Sequence, residues 1–176
     1  NYLKMTQLLP EVVKEILPDQ KIDTLAYGCT SGTIAIGKDK IESQVHKSKP
    51  GIYVTTPITS AIKAFKILNI KKIAVLAPYP RQVNETLFNY LNNESIEVDT
   101  FTSFNLNSDA DIAKVDPKNI INTIKNINYS NVDGIFVSCT AIRILEVLQY
   151  IENLIQKPVI SSNQAMIWDS IRSVKI

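Results

Sequence analysis

Along this chain, short apolar runs alternate with stretches whose apolar positions recur every three or four residues. The short runs, at 24–28, 52–55, 72–77, 97–104, 134–137 and 159–161, read as strands. Helical spacing covers 2–17, 38–46, 58–68, 82–92, 117–127, 141–155 and 164–174. Asp116-Pro117 gives the clearest helix start, an N-cap oxygen followed by a proline at the first helical position. Strands and helices in strict alternation predict an α/β fold with mostly parallel sheets wrapped by helices.

An internal repeat refines this picture. Asp23-Thr24-Leu25-Ala26-Tyr27-Gly28-Cys29-Thr30 aligns with Asp133-Gly134-Ile135-Phe136-Val137-Ser138-Cys139-Thr140. Each copy enters a strand on an acid, leaves it on a small residue and continues Cys-Thr. Further on, Tyr53-Val54-Thr55-Thr56 resembles Val159-Ile160-Ser161-Ser162. The repeat predicts two pseudosymmetric α/β lobes, each with a mostly parallel four-stranded sheet. The expected division is a first lobe over 1–70, a second over 71–162, and a C-terminal helix over 163–176 packing back on the first. Two strands of the second lobe, at 72–77 and 97–104, have no counterpart ahead of Cys29, so the first lobe is expected to be incomplete in this chain.

Composition narrows the function. Of the 176 residues, 45% are hydrophobic and 20% charged, enough to build a real core. A net charge of +2 is too balanced for a nucleic-acid footprint. No apolar run is long enough for a membrane span and no signal segment opens the chain, which makes a cytoplasmic setting the expectation. Two cysteines outside any Cys-x-x-Cys pair read as free thiols. His46 is the single histidine and lies far from any strand end, which disfavours a Cys-His protease and a zinc site. Both glycine-rich nucleotide fingerprints are absent. No cofactor or metal is expected.

The chemistry gathers at the two cysteines. In open α/β sheets ligands bind beyond the carboxyl ends of strands, and both Cys29 and Cys139 fall there. Backbone N–H groups at such turns hold carboxylates and favour thiolates. Two facing thiols, one ionised and one protonated, suit proton removal from one face of a carbon and return to the other. Free cysteines are also common core residues, but the shared context in both repeats argues for a site.

At these residues the sequence resembles the maleate isomerase, arylmalonate decarboxylase and ectoine-utilisation branch of the aspartate/glutamate racemase superfamily. The resemblance runs through Tyr27-Gly28-Cys29-Thr30-Ser31-Gly32-Thr33, Ala74-Val75-Leu76-Ala77-Pro78-Tyr79 with Val83-Asn84, Ser138-Cys139-Thr140, and Pro158-Val159-Ile160-Ser161-Ser162-Asn163-Gln164-Ala165 with Trp168. It implies catalytic roles for Cys29 and Cys139, and substrate binding by Thr30, Ser31, Tyr79 and Thr140. Asn84 and Asn163 join the candidate binding set, with turn or helix-cap roles as the alternative. Arylmalonate decarboxylases keep only the second cysteine, so Cys29 argues against decarboxylation. Where maleate isomerases carry Asp-Asn, this sequence has Asp109-Ala110. Ala141 and Asp169 stand where many relatives have Asn and His. The implied protein is a cofactor-independent racemase, epimerase or cis-trans isomerase of a small carboxylic acid, expected as a homodimer. A decarboxylase and a non-catalytic carboxylate-binding protein remain the alternatives.

Overall fold

A computed structural model describes residues 2–174; residues 1, 175 and 176 lie outside the described residues. In chain order the elements are α1 (Tyr2–Glu15), β1 (Thr24–Ala26), α2 (Thr30–Ile36), α3 (Lys38–His46), β2 (Tyr53–Thr55), α4 (Pro57–Ile67), β3 (Lys72–Ala77), α5 (Arg81–Asn93), β4 (Glu97–Ser103), α6 (Asp109–Ala113), α7 (Pro117–Asn126), β5 (Gly134–Val137), α8 (Leu148–Ile155), β6 (Val159–Ser161) and α9 (Ser162–Ser173).

The strands form two wholly parallel sheets. One pairs β1 with β2, in register from Thr24 opposite Tyr53 to Ala26 opposite Thr55. The other runs β4-β3-β5-β6. Its middle strands are almost continuously apolar, as strands covered on both faces must be: Ile73 to Ala77 and Gly134 to Val137 are all buried. The edge strand β4 instead carries Glu97 and Asp99, and Lys72 pairs with both at 2.9 and 2.8 Å. Charge on an edge discourages pairing with another chain.

Helix starts follow local chemistry. Asp116 accepts the Lys118 N–H at 2.8 Å to open α7, and Ser161 accepts the Gln164 N–H at 3.1 Å to open α9. The sequence pattern misses α2 and α6, which are seven and five residues long. It also starts α8 too early. Residues 141–147 form turns, because Ile142 and Ile144 are both buried while Leu145 is exposed. Neighbours two apart cannot share a helix face.

The helices that follow β2 and β6 cross over between the sheets. α4 buries Ile58, Ile62 and Phe65 in the core of the four-stranded sheet, with Phe65 edge-on to Phe136 at 5.6 Å. In return, α9 packs on α4, β1 and β2. Asp169 of α9, itself buried, accepts from Ser60 at 2.8 Å, from Tyr53 at 3.2 Å and from Lys63 at 2.9 Å. Lys63 also donates to the Tyr53 hydroxyl, and the Thr55 and Ser170 hydroxyls meet at 2.9 Å. These bonds tie α9, which follows β6, to β2 and α4. A smaller core of Val13, Leu25, Tyr27, Ile41, Val45, Ile52 and Val54 lies under the first sheet.

Candidate active site

In the four-stranded sheet the chain order reverses between β3 and β5, which places a crevice beyond their carboxyl ends. Tyr79 follows β3 there, and Cys139 follows β5. Cys29 lies beyond the end of β1, across from them.

Cys29 is the N-cap of α2. Its backbone is extended, and its Sγ accepts the Gly32 N–H at 3.3 Å. The Thr33 N–H and hydroxyl both return to the Cys29 carbonyl, at 2.9 and 2.7 Å. This turn requires glycine at 32, since a Cβ there would stand 2.8 Å from the Tyr27 hydroxyl and 2.9 Å from the Cys29 Sγ. The Tyr27 hydroxyl is buried without a hydrogen-bond partner. Burial, with the charge of Cys29 and then of Tyr2 adding to it, pushes its pKa up to about 12. The half-buried Cys29 sulfur also lies 3.8 Å from the Ser31 hydroxyl, whose oxygen accepts from Tyr2 at 3.1 Å.

Cys139 is buried and has φ +90°, a left-handed conformation that costs a non-glycine residue about 1–3 kcal/mol. Surrounding bonds hold it there: its N–H donates to Ser162 Oγ at 3.1 Å, and its Sγ accepts the Ala141 N–H at 3.4 Å. Burial pushes this thiol above the usual range. The Ala141 N–H and the Tyr79 hydroxyl oppose the rise, and Asp109 adds to it. The Tyr79 hydroxyl, 3.3 Å from Ser138 Oγ, is raised well above the ordinary phenol value by burial and next by the charge of Cys139.

Two hydrogen bonds stitch the cysteine loops together. Thr30 donates to Ser162 Oγ at 3.0 Å, the same oxygen that receives the Cys139 N–H. Thr140 donates to the Gly28 carbonyl at 2.8 Å. Between the loops opens a cavity of about 330 Å³, within the size range of small-molecule sites. Cys29, Thr30, Ser31, Tyr79, Cys139 and Thr140 all line it, joined by Gly28, Ala141, Met5 and Asp109.

Asn84 and Asn163 do not line this cavity. Asn84 Nδ2 donates to the Tyr79 carbonyl at 2.6 Å and to Ser103 Oγ at 2.9 Å, and Asn163 Nδ2 donates to the Thr140 carbonyl at 2.9 Å. Each props the backbone of a residue that does line it. Sequence reasoning leaves Met5, Asp109 and Ser162 out of the candidate set. Met5 and Asp109 have no counterpart in the repeat, whereas Ser162, matched to Thr56 at the end of β2, is within its reach.

A family model for arylmalonate decarboxylase matches residues 37–176. The chain belongs to the arylmalonate decarboxylase family. That match takes in Cys139 and begins beyond Cys29. Within the family's surroundings, a maleate isomerase from Geobacillus stearothermophilus is 25% identical over 168 residues, covering 91% of this chain and 67% of that protein. The arylmalonate decarboxylase of Bordetella bronchiseptica is 27% identical over 124 residues, covering 69% of this chain and 52% of that protein. The chain therefore spans about two thirds or less of these relatives. Among solved structures, a Nocardia farcinica maleate cis-trans isomerase variant with a covalently bound succinylcysteine intermediate superposes with a TM-score of 0.89 at 17% identity, covering 98% of this chain and 73% of that one. An arylmalonate decarboxylase structure superposes at 0.79 and 20% identity, covering 97% and 75%. The family therefore shares this α/β architecture.

Proposed function

We propose that this chain carries the two-cysteine site of a cofactor-independent isomerase, a racemase or epimerase acting on a small carboxylic acid. The observation that carries the reading is the placement of Cys29 and Cys139, at the ends of repeated strands, in the wall of one cavity.

The two sulfurs divide the work. Cys29, with the Gly32 N–H directed at its sulfur, acts as the thiolate and removes the proton next to the carboxylate. Cys139, kept protonated by burial, delivers a proton to the opposite face. One proton leaves carbon for Cys29 and one arrives from Cys139, so the configuration inverts, and the reverse turnover exchanges the roles. The substrate carboxylate is held by the Ser31 hydroxyl and by the N–H groups of Thr30 and Ser31. Those groups open α2 and lie beyond the reach of its own carbonyls.

A second reading is favoured by the succinylcysteine in the Nocardia farcinica structure. There, the Cys29 thiolate adds to an activated alkene, the former double bond rotates, and the carbon–sulfur bond breaks to return the thiolate.

Proton NMR of the full-length protein in D2O, with amino acids, maleate and arylmalonates in turn, separates these. Loss of an α-proton signal without a new compound is expected, with Cys29→Ala and Cys139→Ala each slowing exchange by about 10²–10⁴-fold. New vinyl signals establish the second reading. An arylacetate product, or a folded cysteine variant with undiminished rate, contradicts both.

A further inference from the structure

We propose that Tyr27 is a positioning residue for Cys29, its hydroxyl held in reserve as a hydrogen-bond donor to the Cys29 thiolate; the inference rests on reading Cys29 as the ionised member of the pair. Tyr27 is only 8% exposed, and its hydroxyl has no hydrogen-bond partner among the described residues. An orphaned buried hydroxyl destabilises a fold, and native structures keep few of them. The neighbour of this one is the Cys29 sulfur. The hydroxyl oxygen lies 2.8 Å, and the sulfur 2.9 Å, from the point where a Cβ on Gly32 would stand. Both atoms therefore border one small gap, which glycine at 32 leaves open.

An ionised sulfur in this place needs such a donor. Among the described residues no lysine, arginine or histidine lines the cavity, and the titratable groups across it, Tyr79, Asp109 and Cys139, supply no positive charge. Tyr2, which reaches Ser31 from α1, supplies none either. Stabilising a thiolate therefore falls to neutral donors. The Gly32 N–H is one, at 3.3 Å from the sulfur. The Ser31 hydroxyl, 3.8 Å away, is another, because its oxygen already accepts from Tyr2. The Tyr27 hydroxyl gives the sulfur a third. With its pKa pushed up to about 12, chiefly by burial and next by the charge of Cys29, this phenol stays protonated across the range in which a thiol titrates. A thiol gains little from the donor and a thiolate much, so the bond forms on ionisation and favours it.

The test compares the unaltered full-length protein with Tyr27→Phe, which keeps the ring and removes the hydroxyl. Alkylation of Cys29 by iodoacetamide is followed against pH by peptide mass spectrometry, with urea unfolding alongside. The variant is expected to react about 10-fold more slowly at neutral pH, through loss of one hydrogen bond to a charged group. It should converge with the unaltered protein above about pH 10, where ionisation no longer needs the donor. Its stability in urea should be equal or higher, since the hydroxyl it lacks has no partner to lose. Superimposed pH profiles, or a variant slowed equally at every pH, overturn the assignment of Tyr27 while the reading of Cys29 stands. A marked loss of stability would show that the hydroxyl is already engaged, and overturns the assignment too. If Cys29 of the unaltered protein reacts at neutral pH no faster than a free cysteine peptide, Cys29 is not the ionised thiol, and that reading falls together with this inference.

Discussion

The Cys29 and Cys139 loops begin from nearly the same sequence and end in different physical states. Cys29 leaves its strand in an extended conformation, caps a helix and keeps its sulfur half-exposed under a backbone N–H. Cys139 leaves its strand at φ +90°, enters a run of turns and keeps its sulfur buried. A repeated strand therefore positions a thiol, but the path of the chain after it sets how far the sulfur is buried, and for Cys139 that burial favours the neutral thiol. A symmetric motif becomes an asymmetric pair, which is what moving a proton from one face of a carbon to the other requires.

That contrast breaks most severely at Gly32. In Gly32→Ala the new methyl group would have to displace either the Cys29 sulfur or the Tyr27 hydroxyl, both under 3 Å away. A shift of about 1 Å in a reacting group lowers turnover by about 10²-fold, so kcat is expected to fall by that much, read in the D2O exchange assay. A wild-type rate would mean that the Cys29 turn does not set the geometry.

A milder break lies at the contact that ties α9 to α4 and β2. Asp169→Ala removes the acceptor shared by Ser60, Tyr53 and Lys63, leaving the buried Ser60 hydroxyl without its partner. Lys63 is partly exposed and can turn to water, so the expected loss is about 1–3 kcal/mol in urea unfolding. Unchanged stability would show that the crossed helices are held by apolar packing alone.

Much of this arrangement is legible in the sequence. The strands are, and most plainly the middle ones, because parallel strands buried on both faces leave continuous apolar runs such as Ile73 to Ala77. The crevice is too, because Cys-Thr recurs at equivalent strand ends. The short helices α2 and α6 are not, since neither is long enough to show a period and α2 forms around a cysteine cap. The strained backbone at Cys139 and the turns after it are also hidden: Ile142 and Ile144 satisfy an apolar count without satisfying a helix. Asn84 and Asn163 have the composition of binding residues, and only the fold shows their amides turned onto backbone carbonyls. Asp109 lines the cavity from the start of α6, a helix that no repeat marks.

The proposed mechanism rests on the asymmetry of the two thiols, and their alkylation rates against pH test it without any substrate. Alkylation requires the thiolate, and burial favours the neutral form, so Cys139 should carry less thiolate than an ordinary cysteine at any given pH. With iodoacetamide and peptide mass spectrometry, Cys29 is expected to be modified first. Cys139 should lag, its rate still climbing above the pH at which free thiols level off. Equal rates for the two cysteines with superimposed pH profiles would contradict the division of labour between them.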